Sequence, residues 1–115
     1  MHKVLLILGS EDLQSTLTNV LRSDYDVIYG NSANAESLLL DNRPDALVLD
    51  LFLPGADGFS ILNKTRDLHP QVILLLTTLL TEDIMHTAYD YRVSYMLRKL
   101  CSIQVIADRL NKHLK

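Results

Sequence analysis

The sequence has one cysteine, no tryptophan, three prolines and four glycines among its 115 residues. Because Cys101 stands alone, no disulfide can form within the chain, which is typical of cytoplasmic proteins rather than small secreted scaffolds. The first apolar run, Val4–Leu8, is too short for the core of a signal peptide or for a membrane span. These absences predict a cytoplasmic domain that does not enter a membrane.

Positive charge is also scarce in this chain. The 11 Lys and Arg residues against 14 Asp and Glu residues give a formal net charge of −3. Domains that grip nucleic acid usually carry a basic surface, so direct binding of nucleic acid is not expected. Apolar residues make up 48% of the chain, which is enough for a hydrophobic core. Residues 1–115 are therefore interpreted as one domain.

Continuous apolar runs are the main structural signal in the sequence. The runs Val4–Leu8, Ala46–Leu49 and Val72–Leu76 lack polar alternation, which is typical of parallel strands buried on both faces. Tyr25–Tyr29 and Val93–Leu97 predict two further strands. We expect Tyr25–Tyr29 at an edge of the sheet, because its run is shorter and more polar.

Amphipathic segments separate these strands and predict helices over 11–21, 33–40, 59–68, 82–91 and 103–114. Ser10, Thr81 and Ser102 are the predicted amino-terminal caps of three of them. The residues of the fourth helix predicted to face inward are Ile84, Met85 and Ala88. Strand and helix alternate five times, which predicts an α/β fold with helices on both faces of a parallel sheet.

The third strand ends abruptly on a carboxylate. Asp50 directly follows the run Ala46–Leu49, and a carboxylate is costly to bury. We therefore expect it at the carboxyl end of the strand, where open α/β sheets bind their ligands. Pro54 and Gly55 then turn the chain towards the next helix.

This stretch resembles the phosphoacceptor strand and loop of two-component response-regulator receiver domains. Asp50 is followed by Pro54 four residues later and by Gly58 eight residues later. Thr77 and Lys99, after the fourth and fifth strands, also match at receiver spacing. The resemblance implies a flavodoxin-like doubly wound (βα)5 sandwich with sheet order 2-1-3-4-5. It also implies a non-enzymatic signalling domain, most often the regulatory half of a transcription factor.

The resemblance assigns roles to these side chains. Asp50 is the predicted phosphoacceptor, with an exposed and ionised carboxylate, and Thr77 and Lys99 are the predicted ligands of the phosphoryl group. Arg98 remains an alternative to Lys99 as the partner of the acceptor. Receivers usually have proline after this lysine, whereas this chain has Leu100, so a trans peptide is expected there.

The chain departs from the receiver pattern after its first strand. Receivers place acidic residues there to hold Mg²⁺, but these positions are Leu8 and Gly9. Mg²⁺ needs oxygen ligands, and Asp50 alone supplies few. Glu11 and Asp12 follow slightly later, and we expect both to point to solvent in the first turn of a helix. The prediction is therefore an atypical receiver that requires no cofactor and binds Mg²⁺ weakly or not at all.

The resemblance also predicts a switch and an interface. Tyr95 and Met96 lie where receivers carry the aromatic residue that changes rotamer on activation. The surface of the fourth helix, fifth strand and fifth helix is the predicted homodimer or partner face, with the candidates Tyr89, Tyr91, Arg92, Tyr95 and Arg98. A histidine kinase or small phosphodonor is the implied input. The sequence leaves open whether a DNA-binding output domain lies outside this chain or does not exist.

Three other functions are alternatives to this one. Aspartyl-phosphate hydrolases of the haloacid-dehalogenase type need a second Asp two residues after the nucleophile, and that position is Phe52. A flavodoxin-like cofactor binder would use Gly9 and Ser10 as a phosphate loop, but no stacking aromatic is expected nearby. A stand-alone protein-docking module is the remaining alternative.

Overall fold

Strands and helices alternate along the chain in the computed structural model, which describes residues 1–99 and 103–114. The elements are β1 (Lys3–Ile7), α1 (Glu11–Leu21), β2 (Asp26–Gly30), α2 (Ala35–Asn42), β3 (Ala46–Asp50), β4 (Phe52–Leu53), β5 (Ala56–Asp57), α3 (Gly58–Lys64), β6 (Val72–Thr77), α4 (Glu82–Asp90), β7 (Tyr95–Arg98) and α5 (Ile103–Leu114). A single 3-10 turn over Arg66–Leu68 connects α3 to β6.

A five-stranded parallel sheet forms the centre of the fold, in the order β2-β1-β3-β6-β7. The predicted flavodoxin-like order is confirmed, with β6 and β7 as its fourth and fifth strands. The edge position of β2 is also confirmed. The short antiparallel pair of β4 and β5 was not predicted as strands, although its Pro54–Gly55 turn was. Gly55 has φ +77 there, a conformation that suits glycine.

Two apolar layers cover the faces of the sheet. Because successive side chains of a strand point to opposite faces, Leu6 and Val48 pack towards α1 and α5. Their neighbours Leu5 and Leu47 pack towards α2, α3 and α4. All four are fully buried, which explains why the strand sequences show no polar alternation.

Side-chain caps begin three of the helices. Ser10 accepts a hydrogen bond from the amide of Leu13, and Thr81 accepts one from Ile84, each at 3.2 Å. Both caps were predicted. Asp57 caps α3 in the same way and was not predicted. The predicted cap Ser102 lies outside the described residues, as do Leu100 and its expected trans peptide.

Two helical predictions were wrong. Met85 was expected to face inward on α4, but its side chain is 47% exposed and only Ala88 is fully buried there. The third helix ends at Lys64 rather than at Leu68. Thr65 leaves the helical conformation, with φ −114 and ψ 28, and a 3-10 turn over Arg66–Leu68 follows it. His69, directly before Pro70, is extended, as expected for a residue before proline.

Candidate functional site: the Asp50 crevice

Asp50 lies at the carboxyl end of the central strand β3. The expectation of an exposed carboxylate was wrong, because the residue is only 1% exposed. Its Oδ2 atom accepts a 2.6 Å hydrogen bond from the amide of Gly9 and a 2.9 Å bond from Lys99 Nζ. These two donors compensate the cost of burying the charge on that oxygen.

The lysine reaches Asp50 because of the register between β6 and β7. Arg98 pairs with Thr77 in the sheet, and Lys99 follows one position later, where its amide donates to the Thr77 carbonyl at 2.9 Å. The Lys99 side chain is 27% exposed and forms the ion pair with Asp50. Arg98 is exposed, so the pairing that the sequence left open is made by Lys99.

Thr77 ends β6, beside the crevice. Asp50 pairs with Leu76 in the sheet, so Thr77 lies one residue beyond that pair. Its hydroxyl is nevertheless used within its own exit loop: it donates to the Leu79 carbonyl at 2.7 Å and accepts from the Leu79 amide at 3.1 Å. The hydroxyl would have to leave these two bonds to contact a group on Asp50.

The donor set of the crevice does not fit Mg²⁺. The Leu8 side chain is packed in the core, and Gly9 offers only backbone atoms. Glu11 and Asp12 are exposed on α1, as expected. No group of three or more metal-ligating side chains occurs in the described part of the chain, whereas Mg²⁺ demands several oxygen ligands in an octahedral arrangement.

One oxygen of the crevice is left without a partner. Among the described residues, Asp50 Oδ1 is buried and accepts no hydrogen bond. An unsatisfied buried acceptor costs about 1–3 kcal/mol, and more when it is charged. This oxygen is therefore the point at which the crevice would gain most from an added donor or cation.

The two switch candidates lie on opposite faces of β7. Tyr95 packs in the layer of α1 and α5, where Arg109 donates to its hydroxyl at 3.0 Å and lies 3.7 Å from its ring centroid. Met96 packs in the other layer, with Ala88 of α4. By strand alternation Met96 shares its face with Thr77, whereas Tyr95 does not.

The interface candidates differ in how far they are exposed. Tyr89 is 82% exposed on α4, and Arg92 is also exposed. Tyr91 is half-buried instead, because it stacks on Phe59 of α3 with ring centroids 5.9 Å apart. Arg66 covers the Tyr91 ring at 5.1 Å. The sequence pattern did not separate this structural tyrosine from its exposed neighbour.

The sequence reading missed two close contacts at the crevice. It gave Gly9 as a lost metal ligand and, in the flavodoxin-like alternative, as part of a phosphate loop, but not as a residue whose amide donates to Asp50. It noted Gly58 only by spacing, whereas a Cβ atom there would lie 2.7 Å from the Asp50 carbonyl oxygen and 3.1 Å from Leu51 Cα. The glycine of the motif is therefore needed for close approach of α3 to β3.

The sequence model of the response regulator receiver domain family matches residues 4–111 of the chain. The chain belongs to this family. This receiver domain is 31% identical over 78 residues to the transcriptional regulatory protein CpxR of Escherichia coli K12, covering 67% of this chain and 34% of CpxR. It is 30% identical over 94 residues to a protein-glutamate methylesterase/protein-glutamine glutaminase of Rhodopseudomonas palustris, covering 76% of this chain and 26% of that protein.

Solved receiver structures agree closely with this fold. The beryllofluoride-activated receiver domain of Klebsiella pneumoniae RstA superposes with a TM-score of 0.84 at 25% identity, over 98% of both chains. Vibrio cholerae CheY4 superposes with a TM-score of 0.89 at 20% identity, also over 98% of both chains, and supports the fold alone.

The chain is thus a receiver domain of a two-component response regulator. It spans about a quarter to a third of the length of the curated relatives described above. In the described residues, no helix is both long and apolar enough to cross a membrane.

Proposed function

We propose that this receiver domain controls the output of a cytoplasmic transcriptional regulator through protein contacts that do not require phosphorylation of Asp50. The observation that carries the proposal is that the carboxylate of Asp50 is buried and already hydrogen-bonded. Its Oδ2 atom is held by Gly9 and Lys99, and the two positions after β1 are Leu8 and Gly9 rather than acidic residues. The likeness to CpxR supports a role in transcription.

The chemistry of phosphoryl transfer explains the consequence. The transferred group carries negative charge, and catalysis consists largely of positioning and of neutralising that charge with cations. In this crevice Lys99 supplies a single positive charge, and its ammonium already neutralises Asp50. A phosphodonor would therefore meet a buried nucleophile with no metal site to offset the approaching charge.

The same ion pair links two strands of the sheet. Lys99 follows β7 and Asp50 ends β3, so the pair connects the edge strand to the centre of the sheet across β6. We propose that α4 and the neighbouring β7 and α5 present the partner or homodimer surface without a change at Asp50. The exposed apolar side chains of Met85 and Tyr89 support α4 as part of that surface.

The test is intact-mass spectrometry after incubation with acetyl phosphate and Mg²⁺. We expect no phosphoryl adduct on the unsubstituted chain. The matched variant Leu8→Asp/Gly9→Asp restores two carboxylates after β1, and we expect it to gain a labile adduct. The adduct should disappear when Asp50→Asn is added to that variant.

An adduct on the unsubstituted chain that Asp50→Asn removes would contradict the proposal. Size-exclusion chromatography with light scattering tests the surface separately. A homodimer that forms equally with and without phosphodonor, and that Tyr89→Ala weakens, is the expected result. A monomer at all concentrations would leave a heterologous partner as the occupant of this surface.

A further inference from the structure

A cleft of about 560 Å³ opens at the carboxyl end of the sheet, next to the Asp50 crevice. The loops after β1 and β2 form two of its sides, and Leu53 and Pro54 of the short hairpin line a third. Small-molecule sites in proteins are commonly of this size and lie at this end of open α/β sheets. The volume is therefore suited to a molecule of one or two rings.

The cleft has an aromatic wall that the sequence did not predict. Tyr29, near the end of the edge strand β2, lines it and is 57% exposed. No stacking aromatic was expected near Gly9, yet the two residues line the same cleft. An exposed tyrosine ring in a concave site offers a flat apolar face to a ring or to a cation.

The lining of the cleft carries a negative charge. Among the described residues, Glu11 is the only charged one in the lining, and its carboxylate forms no ion pair with any of them. The described lining contains no Lys, Arg or His, so a phosphate or carboxylate ligand would meet a negative charge with no cationic side chain beside it. The lining instead favours a cationic group.

The side chains of two asparagines hold the β2–α2 loop in place through hydrogen bonds to its backbone. Asn31 Oδ1 accepts hydrogen bonds from the amides of Ala33 at 2.9 Å and Asn34 at 3.1 Å. Asn34 Oδ1 accepts from the Asn31 amide at 2.8 Å. Both residues line the cleft, and these bonds leave their side-chain amide nitrogens as donors. A loop that is already ordered loses little entropy when it binds.

We infer that this cleft binds a small aromatic molecule carrying a protonated amine, with the ring against Tyr29 and the amine at Glu11. The Gly9 backbone lines the cleft and donates its amide proton to Asp50. A molecule bound in the cleft would therefore contact a residue that is hydrogen-bonded to Asp50. The inference does not depend on whether Asp50 is phosphorylated.

The test compares tyramine with 3-(4-hydroxyphenyl)propionate, which has a similar ring and chain but a carboxylate in place of the amine. Each is titrated into the ¹⁵N-labelled chain while amide resonances are followed. With tyramine we expect saturable shifts at Gly9, Glu11, Tyr29 and Asn31. The carboxylate should bind about tenfold more weakly or not at all.

Two neighbouring acids provide the matched control. Glu11→Gln removes the charge that faces the cleft, and we expect it to abolish the preference for tyramine. Asp12→Asn removes a charge from the same helical turn, but Asp12 is not part of the lining, and its variant should keep the preference. Tyr29→Ala should weaken both ligands.

Three outcomes would overturn the inference. One is the absence of shifts at the cleft with millimolar tyramine. Another is equal affinity for the amine and the carboxylate in the unsubstituted chain. The third is an equal effect of Glu11→Gln and Asp12→Asn, which would assign the preference to the charge of the helix end rather than to the cleft.

Discussion

Gly58 shows at the level of one residue how closely α3 approaches β3. A Cβ atom at this position would meet the Asp50 carbonyl oxygen at 2.7 Å and Leu51 Cα at 3.1 Å, and backbone atoms cannot rotate away. We expect Gly58→Ala to lower the free energy of unfolding by about 3 kcal/mol, at the upper end for overpacked sites. Urea denaturation followed by circular dichroism measures it.

Gly55→Ala is the control for this substitution. Nothing lies within 4 Å of a Cβ atom at Gly55, so only its φ of +77 opposes a side chain. A left-handed alanine costs about 1–2 kcal/mol. A Gly58→Ala variant that is less destabilised than Gly55→Ala would show that α3 can move away from β3.

The Lys99–Asp50 pair makes the second prediction at this scale. Lys99→Met leaves a buried charge without its partner, and we expect a loss of about 2–3 kcal/mol in the free energy of unfolding. This is less than for a fully buried pair because the Lys99 side chain is 27% exposed. In Asp50→Asn/Lys99→Met both charges are absent, and the loss should be smaller than for Lys99→Met alone.

A double-mutant cycle from urea denaturation measures this coupling. Strictly additive effects of the two substitutions would contradict it. The sequence favoured Lys99 over Arg98 by spacing alone, and the two residues are adjacent. The decisive fact is the register of β7 against β6, which sequence spacing does not reveal.

At the scale of elements, α5 is connected to β2 by a buried phenol. Tyr25 directly precedes β2, and its hydroxyl donates to Asn111 Oδ1 of α5. Burial, reinforced by the charge of Asp24, raises the pKa of Tyr25 above its ordinary value. The folded chain therefore retains the phenol proton more strongly than the unfolded chain does.

The sign of the pH dependence follows from this shift. The stability that protonated Tyr25 confers is fully present below a pH of about 10 and is lost as pH rises through the folded-state pKa. We expect Tyr25→Phe to reduce the decline in the free energy of unfolding above that pH. At neutral pH the substitution should lower the free energy of unfolding by about 1 kcal/mol, because Asn111 loses its hydrogen-bond donor.

Tyr29→Phe is the control, since Tyr29 is 57% exposed. Urea denaturation at several pH values between about 9 and 11 compares the three proteins. A decline that is equally steep in Tyr25→Phe and in the unsubstituted chain would contradict the assignment to Tyr25.

The elements themselves were largely predictable, because apolar runs and caps are local signals. The two-residue strands β4 and β5 were missed, since such short segments carry no periodicity. The roles of Tyr91 and Tyr95 could not be predicted either. Each is covered by an arginine from another part of the chain, Arg66 and Arg109 respectively, and only the tertiary fold brings these partners together.

At the scale of the whole molecule, hydrogen-bonded strand pairing is most complete in the middle of the sheet. The strands β1, β3 and β6 are hydrogen-bonded on both sides, whereas β2 and β7 are paired on one side only. We expect the slowest amide hydrogen exchange in the three central strands and faster exchange in the two edge strands. Hydrogen exchange with peptide-level mass spectrometry measures this. Equal protection of β2 and β3 would contradict it.

The closeness of Gly9 to Asp50 also limits which side chains position 9 can accept. A side chain at position 9 would begin 3.3 Å from Asp50 Oδ2, so an aspartate arriving there alone would set like charges against each other. Its benefit would come only with a second acid in place of Leu8 and with a divalent ion. Aspartates at positions 8 and 9 would therefore have to be introduced together, because an aspartate at position 9 alone is disfavoured by the nearby Asp50 carboxylate.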